Sequence, residues 1–360
     1  MKQVLFLPIF LFASSLFAKN YFVNSVSGND THTGTERQKP WQSLTPVHAT
    51  SFQAGDTINF ERSSVWNTGL EIDDSGSADK PIVFRAIGEG NKPVFTNAGK
   101  MTNAINITGK WVVVEGFFIK DASYAGVHLA KGADHNIVRN CEMTNCGGGV
   151  MINGSYNLIT QNYAHDLVMI KNTQGGDDDY GAVAYWVFAP CNEIAYNRAV
   201  RCRAPCYDYG SDGGFFEVYK NGDSTYVHHN YAEDCNGFLE IGGGLARNIT
   251  VSHNVSVDNG EFTFHLGKKF KADIQNFVLE NNTIIAKKGT KWHSLLGWAG
   301  GAPESNTLIM RNNTIILGGE KPEKISKISG FTHESNTYFL LDGATLGYDI
   351  GKNEVIHKSN

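Results

Sequence analysis

The sequence predicts an all-β solenoid: one domain of short parallel strands stacked coil on coil, with loops inserted between them. Three observations predict it. First, an apolar-x-x-Asn signature recurs along the chain. It reads Ile137-Val138-Arg139-Asn140, Ile159-Thr160-Gln161-Asn162, Ile194-Ala195-Tyr196-Asn197, Val227-His228-His229-Asn230, Val251-Ser252-His253-Asn254, Leu279-Glu280-Asn281-Asn282 and Met310-Arg311-Asn312-Asn313. The asparagines are spaced from 22 residues (Asn140 to Asn162) to 35 (Asn162 to Asn197), the period of a solenoid coil with variable loops. Second, short apolar triplets precede these signatures: Val127-His128-Leu129, Val150-Met151-Ile152, Val183-Ala184-Tyr185, Phe216-Glu217-Val218, Leu239-Glu240-Ile241 and Phe264-His265-Leu266. Third, glycine is plentiful at 39 residues and proline scarce at 9, which suits tight turns between short strands better than long helices.

Composition narrows the function. A net charge of −5 offers no basic surface to neutralise phosphates, so nucleic acid is not an expected partner. Residues 1–18 read as a secretory signal, with Lys2 ahead of an apolar run from Val4 to Phe17 and Ala18 at the cleavage point. The remaining domain, 19–360, is then expected to be secreted or periplasmic, with no membrane contact after cleavage. Export makes disulfides chemically possible. Cys202 and Cys235 fall at equivalent repeat positions, where they either pair or form a buried ladder; none of the six cysteines has zinc-site spacing.

The mature chain opens with a strand at Tyr21–Asn24 and turn chemistry at Ser27-Gly28-Asn29-Asp30. Pro40-Trp41-Gln42-Ser43-Leu44 leads to a short helix or irregular segment, and strands follow at 57–60 and 81–84. Asparagine tolerates left-handed turns and hydrogen-bonds along ladders, so the repeated asparagines are assigned to structure. Three insertions break the period: Leu167 to Tyr180, Arg203 to Gly213 and Lys287 to Gly301. In a solenoid such insertions gather on one face. Phe339-Leu340-Leu341 adds a strand to a tail that caps the end.

YFVNSVSGNDTHTGT, PWQSL, AGDTINFERSSVW and SGSADKPIVFRAIGEG resemble the opening of secreted right-handed parallel β-helix proteins of the pectate-lyase-like superfamily. The resemblance implies a right-handed parallel β-helix and activity on polysaccharide. Alternation within each triplet places the middle residue outward. The outward column then reads His128, Met151, Ala184, Glu217, Glu240, His265.

Glu217 and Glu240 on adjacent strands stand within about 4.8 Å of strand spacing. Like charges that close must share a proton or a cation. Three chemistries compete, with β-elimination the expected one, glycoside hydrolysis the runner-up and plain glycan binding third. In β-elimination of a uronate polysaccharide such as alginate, Glu217, Glu240, Asp208 and Asp212 hold Ca2+, and His265 acts as base or acid, assisted by Lys268, Arg247 and Tyr219. In glycoside hydrolysis, Glu240 works with Glu217 or Asp212. In the third, the column binds glycan without catalysis. Trp186, Tyr219, Trp298, Asp179, Tyr180 and Lys269 are the expected polysaccharide or oligosaccharide contacts. Leu239-Glu240-Ile241 followed by Phe264-His265-Leu266-Gly267 resembles the alginate and chondroitin β-helix lyases. That resemblance implies a calcium role for Glu240 and a catalytic position near His265. Gly242-Gly243-Gly244-Leu245 stand where that family carries its catalytic lysine.

Overall fold

The computed structural model describes residues 18–97, 100, 102–266, 271–287, 289, 294–299, 307–319, 331–346 and 348–359. The signal-like segment 1–17 lies outside them, as do Lys268 and Lys269. The fold is a right-handed parallel β-helix. Three long sheets of nine, twelve and twelve strands run its length, and each coil gives one strand to each sheet in turn. Gly148–Ile152, Leu158–Thr160 and Tyr163–His165 form one such coil. The expected end strand appears as Thr337–Leu341, and Thr45–Ala49 is a short helix. No described helix is long and apolar enough to cross a membrane.

The corner between the second and third sheets sets the coil geometry. Two residues make it. The first is left-handed: Asn140, Gln161, Tyr196, His229, His253, Asn281, Asn312 and Ser335 all have φ between 54° and 58°. The second, in most coils, is a buried asparagine. Asn162, Asn197, Asn230, Asn254, Asn282, Asn313 and Asn336 form a continuous ladder. Asn230, for example, accepts the Asn197 amide N–H at 2.8 Å through Oδ1. Its Nδ2 donates to Ile194 O at 2.8 Å and to Asn254 Oδ1 at 2.9 Å. The ladder asparagines are therefore not the left-handed residues; the residue before each one is. Asn140 is the exception to the sequence reading. It occupies the left-handed place, and Cys141 takes the ladder position, giving its N–H to Asn162 Oδ1 at 3.0 Å. The signature in that coil is displaced by one residue.

The ladder ends on a carboxylate. Asn336 Nδ2 donates to Glu354 Oε1 at 2.6 Å, and Tyr338, His333 and the Gly351 amide also donate to Glu354. Against burial, His333, Asn336 and the Gly351 amide hold its pKa down at about 2. Inside the coil, Phe215, Phe238 and Phe262 stack with centroids 4.8 and 5.2 Å apart. The cysteines are free thiols. Cys202 and Cys235 form the buried-ladder alternative, and burial pushes Cys146 up to about 12 and Cys141 to about 11.

Replacing Asn230 with Ala leaves the buried Asn197 amide without a partner, at about 1–3 kcal/mol for the orphaned group. The expected outcome is a lowered melting temperature with the circular dichroism of the folded state unchanged. Glu354 titrates lower in the folded chain than in the unfolded one. Its contribution is present above about pH 4.5 and lost as pH falls toward 2. Acid titration should therefore unfold the parent chain more steeply over that window than Glu354→Gln.

Candidate active site

The nine-stranded sheet carries the site on its outer face. Its strands begin Leu70–Ile72, Asn103–Ile107, Ala125–Leu129 and Gly148–Ile152. They continue Val183–Val187, Gly214–Val218, Leu239–Ile241, Glu261–Leu266 and Ser294–Ala299. Each longer strand bends after its first residue, so two successive side chains turn inward before alternation resumes. Ala184 and Tyr185 are both fully buried, as are Phe215 and Phe216, and Phe262 and Thr263. The outward column that results runs Glu71, Asn106, His128, Met151, Trp186, Glu217, Glu240, Phe264.

Two members of the sequence-read column are corrected. Ala184 faces the core, and Trp186 stands in the column. His265 pairs with Ile241 rather than Glu240, so it points into the coil at 1% exposure. There it meets Thr263 Oγ1 at 3.0 Å and the edge of Phe277. Burial lowers its proton affinity to about 3, which keeps it neutral. A one-residue slip in a strand exchanges the two faces, and the slip is legible. Asn236-Gly237-Phe238 aligns with Gly260-Glu261-Phe262, because the Gly260 amide bonds Cys235 O just as the Asn236 amide bonds Cys202 O.

That alignment reveals a carboxylate which the triplet reading missed. Glu261 takes the place of Gly237 and Gly214 in the neighbouring coils, and those glycines leave it room. A Cβ on Gly237 would sit 3.5 Å from Glu261 Oε1, and one on Gly214 would sit 3.7 Å from Glu217 Oε1. Glu217, Glu240, Glu261 and Asp212 thus gather on one face. Their proton affinities are all raised. Glu217 is pushed well above the carboxylate range by burial, then by Glu240 and Asp212; a bond from Trp186 Nε1 at 2.5 Å opposes this. Burial and Asp212 push Glu240 up to about 7 against the Tyr219 hydroxyl, which donates to Glu240 Oε1 at 3.1 Å. Burial and the neighbouring carboxylates push Glu261 to about 8. Asp212 rises least, to about 6, through burial and Asp179, opposed by the Gly213 amide. Among the described residues no ion pair reaches these four. Gly242 has a specific duty: a Cβ there would fall 1.9 Å from the Tyr219 ring, so glycine lets the phenol lean across to Glu240.

An apolar shelf adjoins the carboxylates. Met151, Val183 and Trp186 are buried outside the coil, with Tyr124, Ile170, Phe188 and Tyr219 packed on them. Phe188 and Tyr219 stack at 6.1 Å, and Tyr180 lies 6.0 Å from Trp186. Further along, His128 Nδ1 donates to Asn106 Oδ1 at 2.8 Å and its Nε2 accepts from Asn153 at 3.1 Å.

The remaining sequence candidates are placed elsewhere. Arg247 donates to Asp223 through Nε at 2.9 Å and lies 3.8 Å from Asp273. Asp208 and Asp179 join the two inserted loops, with Asp178 beside them. One oxygen of each lies within 4.8 Å of the others, close enough to hold a cation. Backbone amides already occupy Asp179 and Asp208 there, and Lys171 pairs with Asp178. The metal set read from sequence is therefore divided: Asp212, Glu217 and Glu240 gather at the strands, while Asp208 belongs to the loop cluster. The Trp298 backbone pairs with His265 on the neighbouring strand.

No family model matches the chain. A stretch of 122 residues, 30% of this chain, is 34% identical to a lacto-N-biosidase of Bifidobacterium longum subsp. longum; it covers 8% of that protein, so the chain spans less than a tenth of this curated relative. Among solved structures, a GH136 lacto-N-biosidase from Eubacterium ramulus has a TM-score of 0.57 at 14% identity, over 95% of this chain and 68% of that one. The pectate lyase Pel9A gives 0.55 at 17% identity, over 94% and 80%. XylC in complex with xylose gives 0.62 at 12% identity, over 94% and 86%. What these structures share with the chain is the fold.

Raised carboxyl groups cost stability as pH climbs. The unfolded groups ionise above about 4.5 while the folded ones resist. Glu217→Gln keeps the acceptor for Trp186 and removes the ionisation. It should melt roughly 2–4 °C above the parent at pH 8, for about 1 kcal/mol, and together with it at pH 4. Equal melting at both values would mean that the cluster is not strained.

Proposed function

We propose that this chain is a carbohydrate-active enzyme that hydrolyses a glycosidic bond in a neutral polysaccharide or oligosaccharide, with Glu240 as general acid and Asp212 as its ionised partner. The observation that carries this reading is the gathering of Asp212, Glu217, Glu240 and Glu261 on one outward face. Glycoside hydrolysis needs one carboxyl protonated and another ionised near neutral pH. Asp212, at about 6, and Glu240, at about 7, supply that pair. Glu217, 3% exposed and held by Trp186, is the buried neutral member. Burial and the charge of Asp212 keep Glu240 protonated. Tyr219 orients the Glu240 carboxyl. The exposed ring of Tyr180 and the half-buried rings of Phe188 and Tyr219 offer apolar faces to a sugar.

The similarity to a lacto-N-biosidase over 122 residues supports a glycosidase over a lyase. So does the charge. A uronate carboxylate would meet the ionised Asp212, which no cation among the described residues pairs with, and like charges repel strongly where water is scarce. β-Elimination would need a base and a neutralising cation. Its candidates among the described residues are His265, inside the coil, Arg247, paired with Asp223, and Tyr219, whose hydroxyl is bonded to Glu240. Calcium at Glu217, Glu240 and Asp212 would turn the same groove toward elimination, so metal dependence separates the two. The signal-like residues 1–18 support an activity in the periplasm or outside the cell.

Incubation with neutral and uronate glycans should release reducing ends without an unsaturated, ultraviolet-absorbing product, and a chelator should leave the rate unchanged. Asp212→Asn and Glu240→Gln should each lower kcat about 10²–10⁴-fold. The pH dependence of kcat/KM should be a narrow bell, with limbs near 6 and 7 belonging to the coupled cluster. The anomer formed first reports whether Asp212 attacks the sugar or activates water. An absorbing product whose formation stops with chelator would replace hydrolysis by β-elimination.

A further inference from the structure

Two inserted loops stand beside the carboxylates, and each is an antiparallel ribbon. The first pairs Met169–Lys171 with Tyr180–Gly181; the second pairs Ala204–Cys206 with Gly210–Asp212. Asp212, the proposed ionised partner, is thus a residue of the second ribbon, opposite Ala204. The ribbons are tied together at their tips by a reciprocal exchange. Asp179 Oδ2 accepts the amides of Tyr207 at 2.7 Å and Asp208 at 3.0 Å, while its Oδ1 accepts the Thr173 amide at 2.6 Å. In return, Asp208 Oδ2 accepts the amides of Asp178 at 2.8 Å and Asp179 at 2.9 Å. Asn172 adds bonds to the Tyr207 amide and the Pro205 carbonyl. Tyr209 donates to Asp177 at 3.3 Å. Asp179 is 7% exposed. Amide-to-carboxylate bonds are charge-assisted and stronger than neutral ones, so this exchange is the main tie between two otherwise separate insertions.

We propose that Asp179 is a positioning residue of the site: its carboxylate fastens the two ribbons into one wall and so holds Asp212 over the strand carboxylates. The proposal rests on the reading of Asp212 as the ionised partner. Asp212 faces Asp179 from the first ribbon, Glu217 from its own coil, and Glu240 and Glu261 from the next two; Tyr209 and Tyr219 complete its described surroundings. Asp179 is the neighbour whose charge raises Asp212, and it lies outside the strand column. The Ser211 hydroxyl, which donates to Asn236 Oδ1 at 2.7 Å, anchors the base of the second ribbon to the following coil. The tip is left to the exchange.

Two substitutions in the full chain separate fastening from tuning. Asp179→Asn removes an acceptor and the charge beside Asp212. Asp208→Ala removes the reciprocal acceptor and leaves the Asp179 carboxylate in place. Both should speed limited proteolysis between residues 172 and 212 about tenfold, with a melting temperature within a few degrees of the parent. Only Asp179→Asn should move the acid limb of kcat/KM downward, by about half a unit to one unit. The same shift should appear in the carboxyl titration of Asp212, followed by NMR on 13C-aspartate-labelled protein. A merely structural tie would loosen the loop and lower kcat at every pH without moving the titration. Parent-like proteolysis and parent-like Asp212 titration in Asp179→Asn would overturn the proposal. Should that variant fail to fold, parent-like proteolysis of Asp208→Ala would overturn the fastening by itself. The titration and proteolysis need no substrate. A chain that cleaves no glycan, yet shows the shifted titration, sinks the hydrolytic reading and leaves the positioning role of Asp179 standing.

Discussion

Everything in this molecule depends on one corner. Between the second and third sheets the chain must reverse in two residues while leaving no buried amide without a partner. The first residue does so by adopting a left-handed conformation, and the second by turning an asparagine inward. A side-chain amide can accept from the preceding coil and donate both to that coil and to the next, so each asparagine satisfies groups that a tight corner leaves orphaned. Because every asparagine also bonds its neighbour, the ladder fixes the stacking of each coil on the next. Glu354 closes that chain of donors with an anion, which accepts more bonds than an amide could.

The same stacking that lets asparagines help one another forces glutamates to oppose one another. Glu217 and Glu240 are register partners on adjacent parallel strands. Neither the parallel pairing nor the bend allows them to separate. Water is largely excluded by the Trp186–Tyr219 shelf, so the cluster relieves its repulsion by holding protons. A ladder of satisfied amides on one side of the coil therefore supports a strained acid cluster on another. Acidities drawn apart within a few ångströms are what an acid–base pair near neutral pH requires.

The insertions complete the arrangement in a different physical way. The strands supply position through repetition, whereas the loops have no neighbours of their own kind to stack on. They tie to each other instead, with carboxylates accepting backbone amides across the gap. Asp212 belongs to this second system, and Glu217, Glu240 and Glu261 to the first.

The sequence by itself determined the repeat, the role of the asparagines and the meeting of Glu217 with Glu240. These rest on preferences a chain segment carries alone: coil period, turn chemistry and apolar triplets. It did not determine which side of the coil His265 and Ala184 would face, that Trp186 and Phe264 would stand in the column, that Cys141 rather than Asn140 would join the ladder, or that Glu261 would enter the site. Strict alternation was the wrong ruler, because the bend after the first residue of each strand turns two successive side chains inward. In the coil of Glu261 the residues in register with Leu239-Glu240-Ile241 are Thr263-Phe264-His265, one place before the triplet that apolar pattern picks out. Which face a side chain takes is decided by the hydrogen bonds and packing of coils more than twenty residues away in sequence, and only the stacked structure brings those coils into contact.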